Sequence, residues 1–196
     1  MKHFKVFVLG FCLPLILAVL TGCLSIPEDI NASSTAPASP EARPHPLYSG
    51  IDFERGIPAF IERWGGDYGT KVYEEEGVSY NGSVAMVTNN AGQGGGGIFD
   101  FYMKPNTVYK LTAWAKHSAK PSRPADIGIH YKPDPALDPV SFTIYFDNDK
   151  WEEGSVLITT GANVFATVFF IWKWDPDVYL YVDDIRLTEV GPAPIE

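Results

Sequence analysis

Asp52-Phe-Glu-Arg-Gly56 and Val178-Tyr-Leu-Tyr-Val-Asp-Asp-Ile-Arg-Leu-Thr188 hold acids that could do chemistry together. The second stretch alternates as a half-buried strand does. Tyr181, Asp183, Ile185 and Leu187 share one face; Leu180, Val182, Asp184 and Arg186 share the other. With Ile185 and Leu187 toward a core, Asp183 is expected to point inward too. A buried carboxylate is costly unless something pairs with it, and a cation is one answer. Catalytic sets are scarce: the sequence has no G-x-S-x-G and no H-E-x-x-H. Glu74-Glu75-Glu76 and Glu152-Glu153 read as solvated charge runs. A glycosidase needs two carboxylates across a cleft, and a lyase would have to draw on Tyr102, His130 and Lys132; nothing marks either. The expectation is a protein without catalysis.

The elements that position these residues follow from composition. Eighteen glycines, sixteen prolines and 14% aromatic residues suit a turn-rich β protein. A net charge of −9 argues against nucleic acid as a partner, since phosphate binding needs a basic surface. The two cysteines, Cys12 and Cys23, both fall near the N-terminus, so the rest of the chain has no disulfide framework.

Residues 1–22 read as an export signal, with Lys2, His3 and Lys5 before an apolar run from Val6 to Leu20. Leu20-Thr21-Gly22-Cys23 resembles the bacterial lipobox residue by residue. That resemblance implies cleavage before Cys23 and its lipidation, hence an extracytoplasmic protein anchored to the cell membrane or outer membrane through acyl chains such as palmitate. Residues 23–48, rich in Pro, Ala and Ser, are expected to be a linker in which His45 is solvated. Residues 49–190 then form one domain, with a short tail at 191–196.

Within that domain short apolar runs alternate with turn signals. Strands are expected at Val84–Val87, Ile98–Met103, Tyr109–Lys116, Ile127–Tyr131, Ser141–Phe146, Ser155–Thr160, Ala166–Trp172 and the final stretch. Asn81-Gly82 marks a tight turn. Asn89 to Gly97 reads as a polar, glycine-rich loop, and Ala59 to Trp64 as a single helical turn. The spacing of strand starts predicts an all-β fold, a sandwich or jelly roll.

Phe53-Glu-Arg-Gly56, Tyr80-Asn-Gly-Ser-Val-Ala85, Lys104-Pro-Asn-Thr-Val-Tyr-Lys-Leu-Thr-Ala-Trp-Ala-Lys116, Trp151 and Val182-Asp-Asp-Ile-Arg-Leu187 occur in this order. In this the chain resembles the CenC-like carbohydrate-binding modules, jelly-roll β-sandwiches of the galactose-binding-like class, over about residues 50–190. The resemblance implies non-catalytic binding of a poly- or oligosaccharide. It also implies a structural Ca²⁺ held by Glu54 and Asp183, with Asp184 as the alternative, along with backbone carbonyls; hard carboxylate and carbonyl oxygens suit that ion. Glu54 pairing with Arg55 or Arg186, and Asp183 capping a turn, is the other reading of these acids.

A sugar site needs aromatic platforms beside hydrogen-bonding side chains, and the family places them on a concave sheet face or at a loop rim. By strand parity Trp114, Tyr102, Asp100, Thr112 and His130 fall on non-core faces, unless Trp114 packs under a loop. Trp172 and Trp174 are expected at the rim, in a stretch apolar on both faces. Trp64 and Tyr68 lie in a glycine-flanked loop of binding or covering use. The alternative function is an assembly lipoprotein that uses a sandwich face for protein contact and takes no glycan.

Overall fold

β-branched and aromatic residues at every second position, punctuated by Gly, Pro and Asn, give this chain strands rather than helices. In the computed structural model the described residues are 45–64, 70–74, 78–88 and 93–194. The signal segment, Cys23, most of the linker, Glu75, Glu76, Tyr68 and the side chain of Trp64 lie outside them.

One helical turn, α1 (Pro46–Ser49), precedes ten strands: β1 (Glu62–Trp64), β2 (Thr70–Glu74), β3 (Val84–Thr88), β4 (Gly94–Phe99), β5 (Thr107–His117), β6 (Ala125–Lys132), β7 (Val140–Phe146), β8 (Glu152–Thr159), β9 (Ala166–Lys173) and β10 (Leu180–Pro192). They form two antiparallel five-stranded sheets, β1-β4-β9-β6-β7 and β2-β3-β10-β5-β8. The inner faces bury one core, with Ile98, Ile127, Ile129, Phe169 and Ile171 from the first sheet and Met86, Leu111, Ala113, Val182 and Leu187 from the second. Each of these side chains except Ala113 adds roughly 1.5–3 kcal/mol by leaving water.

Several local expectations are corrected. The final strand does not keep one parity. A bulge lies between Asp183 and Arg186, with Asp184 at φ 45. Leu180 and Val182 before it and Ile185 and Leu187 after it are all buried in the core. Asp183 therefore stands across from Trp114 on the outer side of its sheet rather than inward. One extra residue in a strand shifts every later side chain to the other face, which alternation alone does not reveal.

The glycine run is strand, not loop: Gly94 to Gly97 pair with Lys173 to Phe170. A Cβ on Gly95 would stand 1.7 Å from the Ile171 carbonyl oxygen, so the backbones approach too closely for any side chain there. Residues 62–64 pair with β4 as a strand instead of a helical turn. Asp100, at φ 50, breaks the alternation of 98–103; Ile98 faces the core while Phe99 turns out, and Phe101 and Met103 are buried again. Packing also starts before residue 49. Leu47 is fully buried, and His45 meets Phe60 at 5.2 Å and Phe101 at 5.9 Å rather than being solvated.

Candidate functional site

The outer face of β1-β4-β9-β6-β7 is built from parity. Because Ile127, Ile129, Phe169 and Ile171 point inward, their neighbours Asp126, Gly128, His130, Phe170 and Trp172 point out. Register sets them in rungs across the sheet. Gly95, Trp172, Asp126 and Tyr145 form one; Gly97, Phe170, Gly128 and Thr143 the next; Phe99, Val168, His130 and Ser141 the third. Glycines stand on both sides of Phe170 in its rung, and this outward face is termed the trench. A Cβ on Gly128 would stand 2.9 Å from the Phe170 ring, so that ring occupies the space a side chain would fill.

Aromatic groups and polar groups alternate along the trench. The His130 ring stacks on Phe170 at 4.3 Å and 16°, and its Nδ1 stands 2.8 Å from Ser141 Oγ. Partial burial lowers the His130 pKa, so the ring is neutral at pH 7. Trp172 and Trp174 meet edge to face at 5.8 Å. Trp174 Nε1 donates to Asp126 Oδ2 at 2.6 Å, and Arg123 lies over the Trp174 ring at 4.8 Å. Burial pushes the Asp126 carboxyl up, against the pull of that N–H and of Arg123. Tyr145 is 67% exposed and Phe99 42%. This face can stack on apolar sugar-ring faces and hydrogen-bond the hydroxyls at their edges.

The β9–β10 turn that carries Trp174 is pinned from below. Lys173, fully buried, donates from Nζ to the Val178 carbonyl at 3.0 Å. Asp175 accepts from Ser122 Oγ at 2.7 Å and Asp177 N at 2.9 Å, which hold its carboxyl down at about 2.

The other outer face, of β2-β3-β10-β5-β8, is covered. Tyr80 stacks on Trp114 with centroids 3.5 Å apart and planes 8° apart. Two carboxylates hold the covering segment. Glu54 accepts from Ser83 N at 2.8 Å, Ser83 Oγ at 3.0 Å and Val84 N at 3.0 Å, and the amides of Val84 and Ser83 hold its carboxyl low. Asp183 accepts from Tyr80 N at 3.0 Å, Asn81 N at 3.1 Å and Asp184 N at 2.8 Å. Burial nonetheless pushes the Asp183 carboxyl up to about 6.

The acids expected to hold Ca²⁺ already meet protein donors. The oxygens of Glu54 and Asp183 are turned to N–H and O–H donors, and Asp184 faces a separate pocket. Among the described residues no three His, Cys, Asp or Glu come together as metal ligands. Glu54 also forms no ion pair with Arg55 or Arg186 among the described residues.

The sequence-derived sugar set is thus divided. His130, Trp172 and Trp174 share the trench; Trp114 is on the opposite sheet under Tyr80. Asp100 follows β4, its amide donating to the Thr167 carbonyl at 2.9 Å. Tyr102, also beyond β4, is exposed, and its own carbonyl accepts from Tyr48 Oη at 2.6 Å. Phe99, Asp126, Tyr145 and Phe170 belong to the trench without having been singled out. The signal was available: the parity that placed His130 outward places Asp126 outward too.

The chain from 46 to 177 matches the family model of a carbohydrate binding domain. Among solved structures it is similar to a family 16 carbohydrate binding module, at 26% identity and TM-score 0.63, over 74% of this chain and all of that one. It is similar in fold to a xylan-binding domain from Paenibacillus barcinonensis, at 18% identity and TM-score 0.56, over 74% of this chain and 94% of that one. A module solved with β-1,4-galactotriose shares 14% identity and TM-score 0.50, over 70% of this chain and 94% of its own. No curated protein matches the chain.

Proposed function

This chain belongs to the carbohydrate binding domain family, and from that premise we propose that it holds a poly- or oligosaccharide, without cleaving it, in the trench of the β1-β4-β9-β6-β7 sheet. One observation carries the reading. Trp172, Trp174, Phe170 and Tyr145 lie on one outward face with Asp126 and His130 between them, over strands thinned by Gly95, Gly97 and Gly128. Polar groups interleaved with aromatic ones suit a sugar chain, whose apolar ring faces are edged by hydroxyls. The xylan-binding and galactotriose-bound neighbours support a glycan of the plant-polysaccharide type as ligand.

Affinity gels carrying β-glucans, xylans, mannans and pectins test this. Retardation on one class, lost in Trp172→Ala with the fold intact, supports it. No retardation on any gel, with the protein folded, returns the weight to the protein-contact reading. Membrane attachment through a lipidated Cys23 is proposed alongside. Labelled palmitate should enter the parent and not Cys23→Ala; equal labelling of both overturns it.

A further inference from the structure

On the sheet opposite the trench lies a cavity of about 350 Å³ whose lining includes Asp52, Thr112, Trp114, Glu153, Asp184 and Arg186. Tyr80 covers one face of the Trp114 ring and fixes it, while the indole still forms part of the cavity wall. Three carboxylates line a space with a single guanidinium, leaving an excess of two negative charges. Among the described residues Arg186 nonetheless makes no ion pair with any of them. The carboxylates of Glu153 and Asp184 have no hydrogen-bond donor among the described residues either.

The backbone is shaped to present these groups. The β10 bulge aims Asp184 and Arg186 into the cavity, and Asp184 holds a left-handed φ of 45 to do so. Bulges and left-handed non-glycine residues gather where a side chain must be re-aimed, often at binding sites. Gly50, at φ 93, keeps the way clear, since a Cβ there would stand 3.1 Å from Arg186 Nε.

We propose that this cavity is a second saccharide site, separate from the trench, which takes an amine-bearing sugar such as a glucosamine unit. A pyranose ring lies against the Trp114 indole, its ammonium meets Glu153 and Asp184, and Arg186 and Thr112 take its hydroxyls. The negative excess selects a cation over a uronate, and an indole adds cation–π attraction. The trench, with neutral His130 and Asp126 already bonded to Trp174, lacks that selectivity.

Titration calorimetry of the full chain with a fully deacetylated glucosamine tetramer, its N-acetylated counterpart and cellotetraose tests the proposal. The glucosamine tetramer should bind. Its acetylated form, and the Glu153→Gln/Asp184→Asn variant with the free amine, should bind at least about tenfold more weakly. Asn tolerates the left-handed backbone, so the variant keeps the bulge. Trp172→Ala should leave this binding unchanged. No binding by folded protein, equal affinity for both tetramers, or loss of binding in Trp172→Ala would each overturn the second site. Retention of neutral polysaccharides on gels reports the trench separately, so either site can fail alone.

Discussion

The two outer sheet faces use the same material to opposite ends. Both carry tryptophan and tyrosine on outward strand positions. On β9 and β6 the rungs set Trp172, Phe170 and Tyr145 on the outward side with Asp126 and His130 between them, and Tyr145 is 67% exposed. On β5 and β10 the segment from Ser79 to Ser83 crosses, and Tyr80 takes one face of Trp114, leaving the rest of the indole in the wall of a cavity. Outward parity makes an aromatic residue available; what lies over it decides whether it binds or packs.

The largest effect should come from releasing the cover. Asp183→Ala removes a fully buried carboxylate that serves three part-buried amide donors and should cost about 3 kcal/mol in urea unfolding. If the loss is under about 1 kcal/mol, the clamp does not set the covered face. Since N–H donors already satisfy these acids, excess EDTA is expected to leave the parent melting temperature unchanged. A fall reversed by Ca²⁺ would support a structural metal at Glu54 and Asp183.

On the open face, Trp172→Ala should weaken polysaccharide retention by roughly tenfold or more, about 1.4 kcal/mol, with little change in fold. Unchanged retention would move the glycan off the trench.

Lys173 links the two faces from within, and burial depresses its pKa to about 8 while Asp175 and Asp177 oppose the fall. Between that value and the ordinary 10.5 the unfolded chain holds more protons than the folded one, so this group makes stability rise with pH across the window. The parent should therefore gain about 2–3 kcal/mol relative to Lys173→Met from pH 8 to 10.5. Parallel pH curves would mean the ammonium is solvated.

The smallest effect should be that of Tyr80→Ala. Loss of the stacked pair costs about 1 kcal/mol and leaves trench retention as it was. Weakened retention on neutral glycans would place their site on the covered face.

Much of this was legible beforehand. Alternation in β5 and β6 gave both strands and the outward positions of Trp114 and His130, because side-chain period is a local property of extended chain. The motif order from Phe53 to Leu187 gave the jelly-roll sandwich and its carbohydrate ligand class. What failed was whatever a distant partner decides. Gly94 to Gly97 looks like a loop until β9 supplies the hydrogen bonds that make it strand. Asp183 looks inward until a bulge, held by the Tyr80 and Asn81 amides about a hundred residues upstream, reverses the parity. The sequence by itself determined the strands, the core faces and the supply of outward aromatic residues, since these follow from residue type and period. Only the tertiary structure decided which aromatic residues lie open and which acids meet amides, since pairing across the chain sets what covers each face.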